Sequence, residues 1–369
     1  MSGKNLYLKY RPLQLEDVIG QKQVTGTLRR ASDNKNFSHA YLFSGKHGCG
    51  KTSSARILAN LMTCTDVKEG KVCGKCRACQ TIPIGASMDV IEIDGATQRG
   101  IDDVRKIIDG SHWSPSELSR KVYIIDECHQ LSKEAISALL KITEEPPPYL
   151  TFILCTTESR KIIGTILSRC QKFNFRMITS KDISAHLENI SKKENIKISN
   201  DALFILAKLA RGSMRDAIGY LDQIATLANG KEIKTEHVQK YFGATDRLGV
   251  LNLIKSMATG NIPLLMDQVN DLIMCAVEIK TILYEVAEMF RCMTLVGIPN
   301  INKDILDIPD SEIEELVKIR GLVSEGAILK LASIFSKLEK EINVNIHDRW
   351  IMEATFINCS HCITRKEVE

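Results

Sequence analysis

No stretch of this sequence approaches the roughly 18 consecutive apolar residues that a membrane-spanning helix requires, which excludes an integral membrane helix. The first residues, Met1-Ser2-Gly3-Lys4-Asn5, open no apolar signal-peptide core. Low-complexity tracts and internal repeats are lacking as well, which sets aside disordered arrays and solenoids. Nor does charge of one sign dominate. Lys and Arg number 49 against 45 Asp and Glu, and the net +4, with a pI near 8.4, permits contact with nucleic acid without demanding it. What the chain does have is ordinary core material: at 369 residues and 44% hydrophobic it can fill about two or three domains.

Its sharpest local signal is Gly45-Lys46-His47-Gly48-Cys49-Gly50-Lys51-Thr52, which satisfies every position of the G-x-x-x-x-G-K-[ST] pattern. The strand-like run Ala40-Tyr41-Leu42-Phe43 precedes it and a helix-like run, Ser53 to Leu61, follows. In that setting glycines let the backbone curl so that its N–H groups face phosphate oxygens, and the helix N-terminus adds positive potential. Lys51 is expected to reach the β- and γ-phosphates and Thr52 to ligate Mg²⁺, so the chain is expected to bind a nucleoside triphosphate. A triphosphate site implies a reducing compartment, which makes disulfides among the 12 cysteines unfavourable. Cys128, Cys155 and Cys170 then read as buried free thiols beside apolar strands, and the protein as cytoplasmic.

Four β-like runs, Ala40–Ser44, Met88–Asp94, Lys121–Asp126 and Thr151–Thr156, alternate with helix-period sequence, which predicts a parallel sheet covered by helices. Glu145-Pro146-Pro147-Pro148 stops a helix that begins near Ser132. Beyond about Met177 the strands cease, and Ile183–Asn195, Asn200–Arg211 and Met214–Leu227 read as amphipathic helices. After Gly243 the sequence stays helical in period, with Leu272–Met289 its longest apolar-rich segment. The expected organisation is an α/β block over 1–179, a small helical block over 180–242 and a second helical block over 243–369.

The run Lys121-Val122-Tyr123-Ile124-Ile125 ends in Asp126-Glu127, about seventy residues after the phosphate loop. In phosphate-loop enzymes Asp126 would hold Mg²⁺ largely through water, and Glu127 would act as general base on the attacking water. His129 reads as a packing or hydrogen-bonding residue, since the chemistry already has its base.

A separate cluster, Cys64-x₈-Cys73-x₂-Cys76-x₂-Cys79, has spacing able to close a tetrahedral Zn²⁺ shell within an insert at 64–79. Lys68, Lys71, Lys75 and Arg77 would offset the negative metal–thiolate centre. Disulfides are the cytosol-disfavoured alternative, and an iron–sulfur cluster would lack its usual spacing. The pair Cys359-x₂-Cys362 has no further partners and reads as two cysteines on successive turns of a terminal helix.

Asp126-Glu127-Cys128-His129, Ser168-Arg169-Cys170 and Gly212-Ser213-Met214-Arg215-Asp216-Ala217 together resemble the clamp-loader branch of the AAA+ ATPases, as found in bacterial DNA polymerase III holoenzymes. Lys9-Tyr10-Arg11-Pro12 and Asp17-Val18-Ile19-Gly20-Gln21 resemble that family's base-binding box, and Ala138-Leu139-Leu140-Lys141 and Glu144-Glu145-Pro146-Pro147 strengthen the likeness. It extends over nearly all of residues 5–242; residues 243–369 carry no sharp motif and are assigned mainly by position.

The resemblance implies an AAA+ phosphate-loop domain, a helical lid and a C-terminal helical collar. It implies that Thr157 is the polar sensor near the γ-phosphate and that Arg215 reaches the phosphates from the lid. Arg169 would be the arginine finger acting on ATP held by a neighbouring subunit, where its planar fork suits spread phosphoryl charge. The family also carries a zinc module at this insertion. The implied function is an ATP-hydrolysing motor subunit that loads a sliding clamp onto primed DNA. Its implied partners are delta- and delta-prime-type subunits and copies of itself in a pentameric assembly, with no membrane. The chain is expected to be a short form without the further domains that bind polymerase and helicase. Arg99, Arg105, Lys106 and Lys141 are candidates either for DNA phosphate contact or for an ordinary solvated face. Two competing readings are another AAA+ motor, such as a branch-migration helicase, and a non-hydrolysing scaffold subunit.

Overall fold

A computed structural model describes residues 5–162, 164–242, 247–274, 279–301, 305–306, 308, 310–341 and 348–364. The chain divides into two compact units, 1–230 and 231–369.

The first unit is built on five parallel strands: β1 (Ala40–Ser44), β2 (Val90–Asp94), β3 (Lys121–Asp126), β4 (Leu150–Thr156) and β5 (Gln171–Asn174). Their order is β2-β3-β4-β1-β5. Four of the five match the β-like runs of the sequence, although β2 starts at Val90 and leaves Met88 exposed. The fifth was not legible. Gln171-Lys172-Phe173-Asn174 buries only Phe173, as suits an edge strand with one paired neighbour, so it carries neither an apolar run nor a full alternation.

Period-two alternation sorts the side chains into two cores. Tyr41, Phe43, Val122, Ile124 and Ile153 pack with Val24, Leu28 and Leu58 on one face. Leu42, Tyr123, Ile125, Phe152 and Leu154 pack with Val104, Ile107, Ile136 and Leu139 on the other. Burial on both faces explains why the central strands read as continuous apolar sequence. Because all strands run the same way, Ser44 aligns with Thr156 and Asp94 with Asp126 at a single edge of the sheet. In open parallel sheets that carboxyl edge, where the chain order reverses, is where ligands sit.

Helix Lys133–Glu144 starts at the Ser132 cap, whose hydroxyl accepts from Ala135 N, and ends ahead of the prolines. The small helical block holds Ser180–Glu194, Asn200–Leu209 and Met214–Ala228. Each has a hydroxyl cap, at Thr179, Ser199 and Ser213 respectively, worth about 1 kcal/mol apiece. Ile183, Leu187, Leu203, Leu206 and Leu221 fill the space between them. This block touches the phosphate loop directly: Met214 N donates to Gly48 O at 3.1 Å.

The second unit is helical among its described residues: Thr235–Phe242, Arg247–Thr259, Ile262–Met274, Ile279–Val296, Asp310–Arg320, Glu325–Glu341 and Asp348–Thr364. Phe290, Phe335 and Phe356 stack at its centre, with ring centroids 5.5 and 6.0 Å apart. The apolar segment Leu272–Met289 belongs to two helices, one ending at Met274 and the next starting at Ile279; residues 275–278 lie outside the described set. Cys359 is buried and Cys362 exposed on the last helix, in agreement with the reading of two cysteines on successive turns. Among the described residues no helix is long and apolar enough to cross a membrane.

Gly48 has φ +70°, and a Cβ there would lie 1.9 Å from Ser213 Oγ. Gly48→Ala therefore combines left-handed strain with a clash against the helical block. The expected outcome is a loss of about 2 kcal/mol or more, read as a lowered midpoint in denaturant unfolding.

Candidate nucleotide site and cysteine centre

The phosphate loop connects β1 to helix Lys51–Thr63 at the carboxyl edge of the sheet. Gly45 N donates to Thr156 O at 3.2 Å, which ties the loop to the neighbouring strand. Gly45, Gly48 and Gly50 all have positive φ. At Gly45 a Cβ would meet Phe175 O at 2.6 Å, so close backbone approach as well as conformation demands glycine. Lys51 is buried, and its ammonium donates to Gly45 O at 2.8 Å and Lys46 O at 2.9 Å. Cys49 is buried beneath the loop with Sγ 2.9 Å from Lys46 O, and burial raises its pKa.

Thr52 Oγ1 donates to Asp126 Oδ2 at 2.7 Å, so the last loop residue and the end of β3 present adjacent oxygens. Glu127 follows with φ 44°, ψ 43°, a left-handed turn that swings its carboxylate toward β4. There Glu127 Oε2 accepts from Thr157 Oγ1 at 2.9 Å and Thr157 N at 3.2 Å. His129 is nearly buried, with Nδ1 3.1 Å from Thr156 Oγ1 and 3.3 Å from Glu127 Oε2, and Nε2 3.5 Å from Glu158 Oε1. It is a hydrogen-bonding residue packed against the acidic group, in keeping with its sequence reading.

These residues open on a cavity of about 500 Å³. Its lining includes His47 to Ser53, Asp126, Glu127 and, from the helical block, Met214 and Arg215. Arg215 lies over the Tyr7 ring at 5.2 Å and brings Nη1 within 3.4 Å of His47 Nε2. Tyr10, Arg11, Pro12, Asp17, Val18 and Ile19 form another wall. Burial and then neighbouring Arg56 lower the pKa of Arg11, with Arg215 adding to the effect.

Not every expected residue meets there. Gly45 and Lys46 hold Lys51 from behind the lining, and Thr157 lies outside the lining, bonded to Glu127. Arg169 stands apart from the cavity lining, a third exposed, with Nη2 2.6 Å from Glu144 Oε1 and Nη1 2.8 Å from Thr165 O. Tyr7, Glu92, His186 and Ile218 also line the cavity and were missed. Tyr7 stands two residues before the Lys9-Tyr10-Arg11-Pro12 box, which was a usable signal. His186 lies mid-helix in Ser180–Glu194, where no motif marks it, and burial lowers its pKa. Of the DNA candidates, Arg105 and Lys106 pair with Asp102 and Asp103 on their own helix, Arg99 donates to Ala96 O, and Lys141 is exposed.

Away from this cavity, Cys64, Cys73, Cys76 and Cys79 bring all four Sγ atoms within 4.8 Å of one another. The Sγ–Sγ separations are 3.5 Å for Cys76–Cys79, 3.7 Å for Cys64–Cys79, 3.8 Å for Cys64–Cys76 and 3.9 Å for Cys73–Cys79. A tetrahedron of sulfurs about 2.3 Å from zinc has edges of about 3.8 Å. The donor set therefore fits Zn²⁺ in both chemistry and spacing. Cys73 N and Cys76 N each point at a thiol sulfur, Cys64 and Cys73 respectively, at 3.4 Å. Burial pushes Cys76 up, but the N–H groups of Cys79 and Thr65 and the adjoining thiols outweigh it and bring it to about 6. Cys73 is lowered too, whereas burial raises Cys64 and Cys79. Such a set releases protons as it takes a metal.

Three family profiles tile the chain. One described as "DNA polymerase III, delta subunit" matches residues 20–179. A second, "DNA polymerase III clamp loader subunit, ATPase lid domain", matches 182–230. The third, "DNA polymerase III subunits gamma and tau domain III", matches 233–367. The Bacillus subtilis DNA polymerase III subunit tau is 37% identical over 357 residues, 97% of this chain and 63% of that protein. The chain belongs to the DNA polymerase III gamma/tau family of clamp-loader subunits. The Escherichia coli subunit tau is 36% identical over 296 residues, 80% of this chain and 46% of that protein. The chain thus spans less than two thirds of the length of these relatives. Among solved structures, the Thermotoga maritima RuvB branch-migration motor aligns at a TM-score of 0.49 with 22% identity, covering 68% of this chain and 79% of that one, a likeness too loose to argue from.

Purified chain is expected to carry about one zinc per molecule, counted by release to a chromogenic chelator. Cys76→Ser should lower the count well below one, because the remaining three thiols no longer close the shell.

Proposed function

We propose that the chain is an ATP-binding and ATP-hydrolysing motor subunit that helps load a sliding clamp onto primed DNA in the cytoplasm. The observation that carries this reading is the meeting of Lys51, Thr52, Asp126 and Glu127 at one sheet edge, sealed by the 2.7 Å Thr52–Asp126 hydrogen bond. The membership of the gamma/tau family supplies the setting.

The adjacent Thr52 hydroxyl and Asp126 carboxylate are the oxygens that would hold Mg²⁺, which when bound offsets charge on the β- and γ-phosphates. Lys51 is delivered to the loop without side-chain freedom, so phosphate oxygens can replace Gly45 O and Lys46 O as its acceptors. The loop N–H groups and the start of helix Lys51–Thr63 add fixed positive potential. Glu127 is the general base, and Thr157, already bonded to it, orients it and the attacking water. Arg215 enters from the lid, so closure of the lid and recognition of the phosphates become one event. Arg169 is assigned to the ATP of a neighbouring subunit, in keeping with its place outside the lining of its own cavity.

Partners on this reading are delta- and delta-prime-type subunits, further copies of the chain, the clamp and primed DNA. Contacts to the DNA would be to phosphates and hence independent of sequence and sensitive to salt. Residues 180–242 are proposed as the lid and 243–369 as the oligomerising collar. A scaffold role without hydrolysis is disfavoured, because Glu127 is held by two donors beside the cavity instead of being replaced by an inert residue.

Lys51→Ala should abolish binding of a fluorescent ATP analogue while leaving the unfolding transition in place. Retained affinity would remove the phosphate-loop assignment. In the complete loader, Arg169→Ala should leave nucleotide affinity near normal and slow steady-state turnover about 10³-fold. Undiminished turnover with primed DNA and clamp present would end its role in trans.

A further inference from the structure

The cysteine centre is not a detached appendage. Gln14 Nε2 donates to Val72 O at 3.3 Å, and Val72 N donates to Gln14 Oε1 at 3.2 Å. This two-way amide clasp joins the residue preceding the ligand Cys73 to the N-terminal segment. Beside it, Lys71 Nζ lies 3.0 Å from Glu16 Oε2, and Arg29 Nε donates to Glu69 O at 2.8 Å. Gln14 falls between Pro12 and Asp17, both of which line the nucleotide cavity. Asp17 Oδ2 in turn accepts from Gln14 N at 3.1 Å, so Gln14 and the cavity wall are held as one turn.

The segment has anchors at its other ends too. Lys9 Nζ and Tyr10 Oη donate to Glu194 in the helical block, and Gln21 Nε2 donates to Arg176 O at 2.7 Å and Cys49 O at 3.4 Å. Between these anchors it contributes six residues, Tyr10 to Pro12 and Asp17 to Ile19, to the cavity. Among the described residues, the hydrogen bonds and ion pair that the cysteine insert makes to its middle run through Gln14 and Glu16, beside Leu15, which is buried in the same apolar cluster as Val72.

We infer that the four-cysteine centre serves the nucleotide pocket, with Gln14 as the positioning residue that transmits its rigidity to the wall formed by Tyr10 to Ile19. This rests on the reading that the cavity binds an adenine nucleotide. The physical basis is preorganisation: a wall already fixed costs less to order when ligand arrives. A metal on the four thiolates would fix Cys73, hence Val72, hence both hydrogen bonds to Gln14.

Gln14→Met keeps the bulk of the side chain and removes both hydrogen bonds. In the full chain it should weaken binding of a fluorescent ATP analogue roughly three- to tenfold. Its zinc count should remain that of the wild type, since Gln14 is not a ligand. Stripping zinc with a chelator under reducing conditions should weaken the wild type by a similar factor and add little to Gln14→Met, the non-additivity expected of one coupled path. Unchanged affinity in Gln14→Met, additive losses, or zinc lost from the variant would each overturn the inference. A wild-type chain that binds no nucleotide would instead fell the underlying reading and the inference with it.

Discussion

Everything at the functional end of this molecule depends on how tightly the phosphate loop is seated on the sheet edge. A buried ammonium is costly unless it is well solvated by acceptors, and Lys51 obtains them from the carbonyls of its own loop. Those carbonyls converge because glycines permit the turn and because Phe175 and Ser213 press on the loop where Cβ atoms at Gly45 and Gly48 would otherwise stand. The aligned ends of β1, β3 and β4 then bring Thr52 to Asp126 and Thr157 to Glu127. The loop is thus a product of sheet register as much as of its own sequence.

The same seating makes the small helical block part of the site. Met214 N caps the loop carbonyl of Gly48, Ser213 fills the space a side chain at position 48 would take, and Arg215 projects from the next position into the cavity. A shift of that block relative to the sheet must therefore break contact with the loop itself. The N-terminal segment reinforces the link, since Leu6 N donates to Asp222 Oδ2 at 3.1 Å and Tyr10 reaches Glu194. The lining of the cavity and the packing of the helical block on the sheet share the same few residues, which is the physical requirement for one to report on the other.

How much of this could be read beforehand varied with the kind of force involved. The phosphate loop, Asp126, Glu127 and the cysteines were legible because chain-local chemistry fixes both residue type and spacing. β1, β3 and β4 were legible because burial on both faces leaves an unbroken apolar run. β5 was not, since an edge strand is held by backbone hydrogen bonds that leave little trace in side chains. His186 and Gln14 were equally silent: each matters through a contact made by folding, with partners up to 58 residues away in the case of Gln14. The helices after Gly243 announced a core but no site, because their buried faces are satisfied by one another.

The cysteine insert shows why a small element of this kind needs more than apolar contacts. Sixteen residues cannot enclose a core of their own, and here Val72, Ala78 and Cys79 are buried in the packed face of the sheet while Cys64, Val67, Cys73 and Cys76 are only partly buried against it. Its turn at Glu69-Gly70 uses two successive positive φ angles, and Lys68 and Lys71 pair across it with two backbone hydrogen bonds. Such a turn is marginal alone. Four thiolates drawn into one shell would give it the rigidity that burial cannot, because metal–ligand bonds fix the backbone at four points instead of one. An insert stiffened in that way can hold a neighbouring segment in place, and the segment it grips through Gln14 is the one that walls the cavity at the phosphate loop.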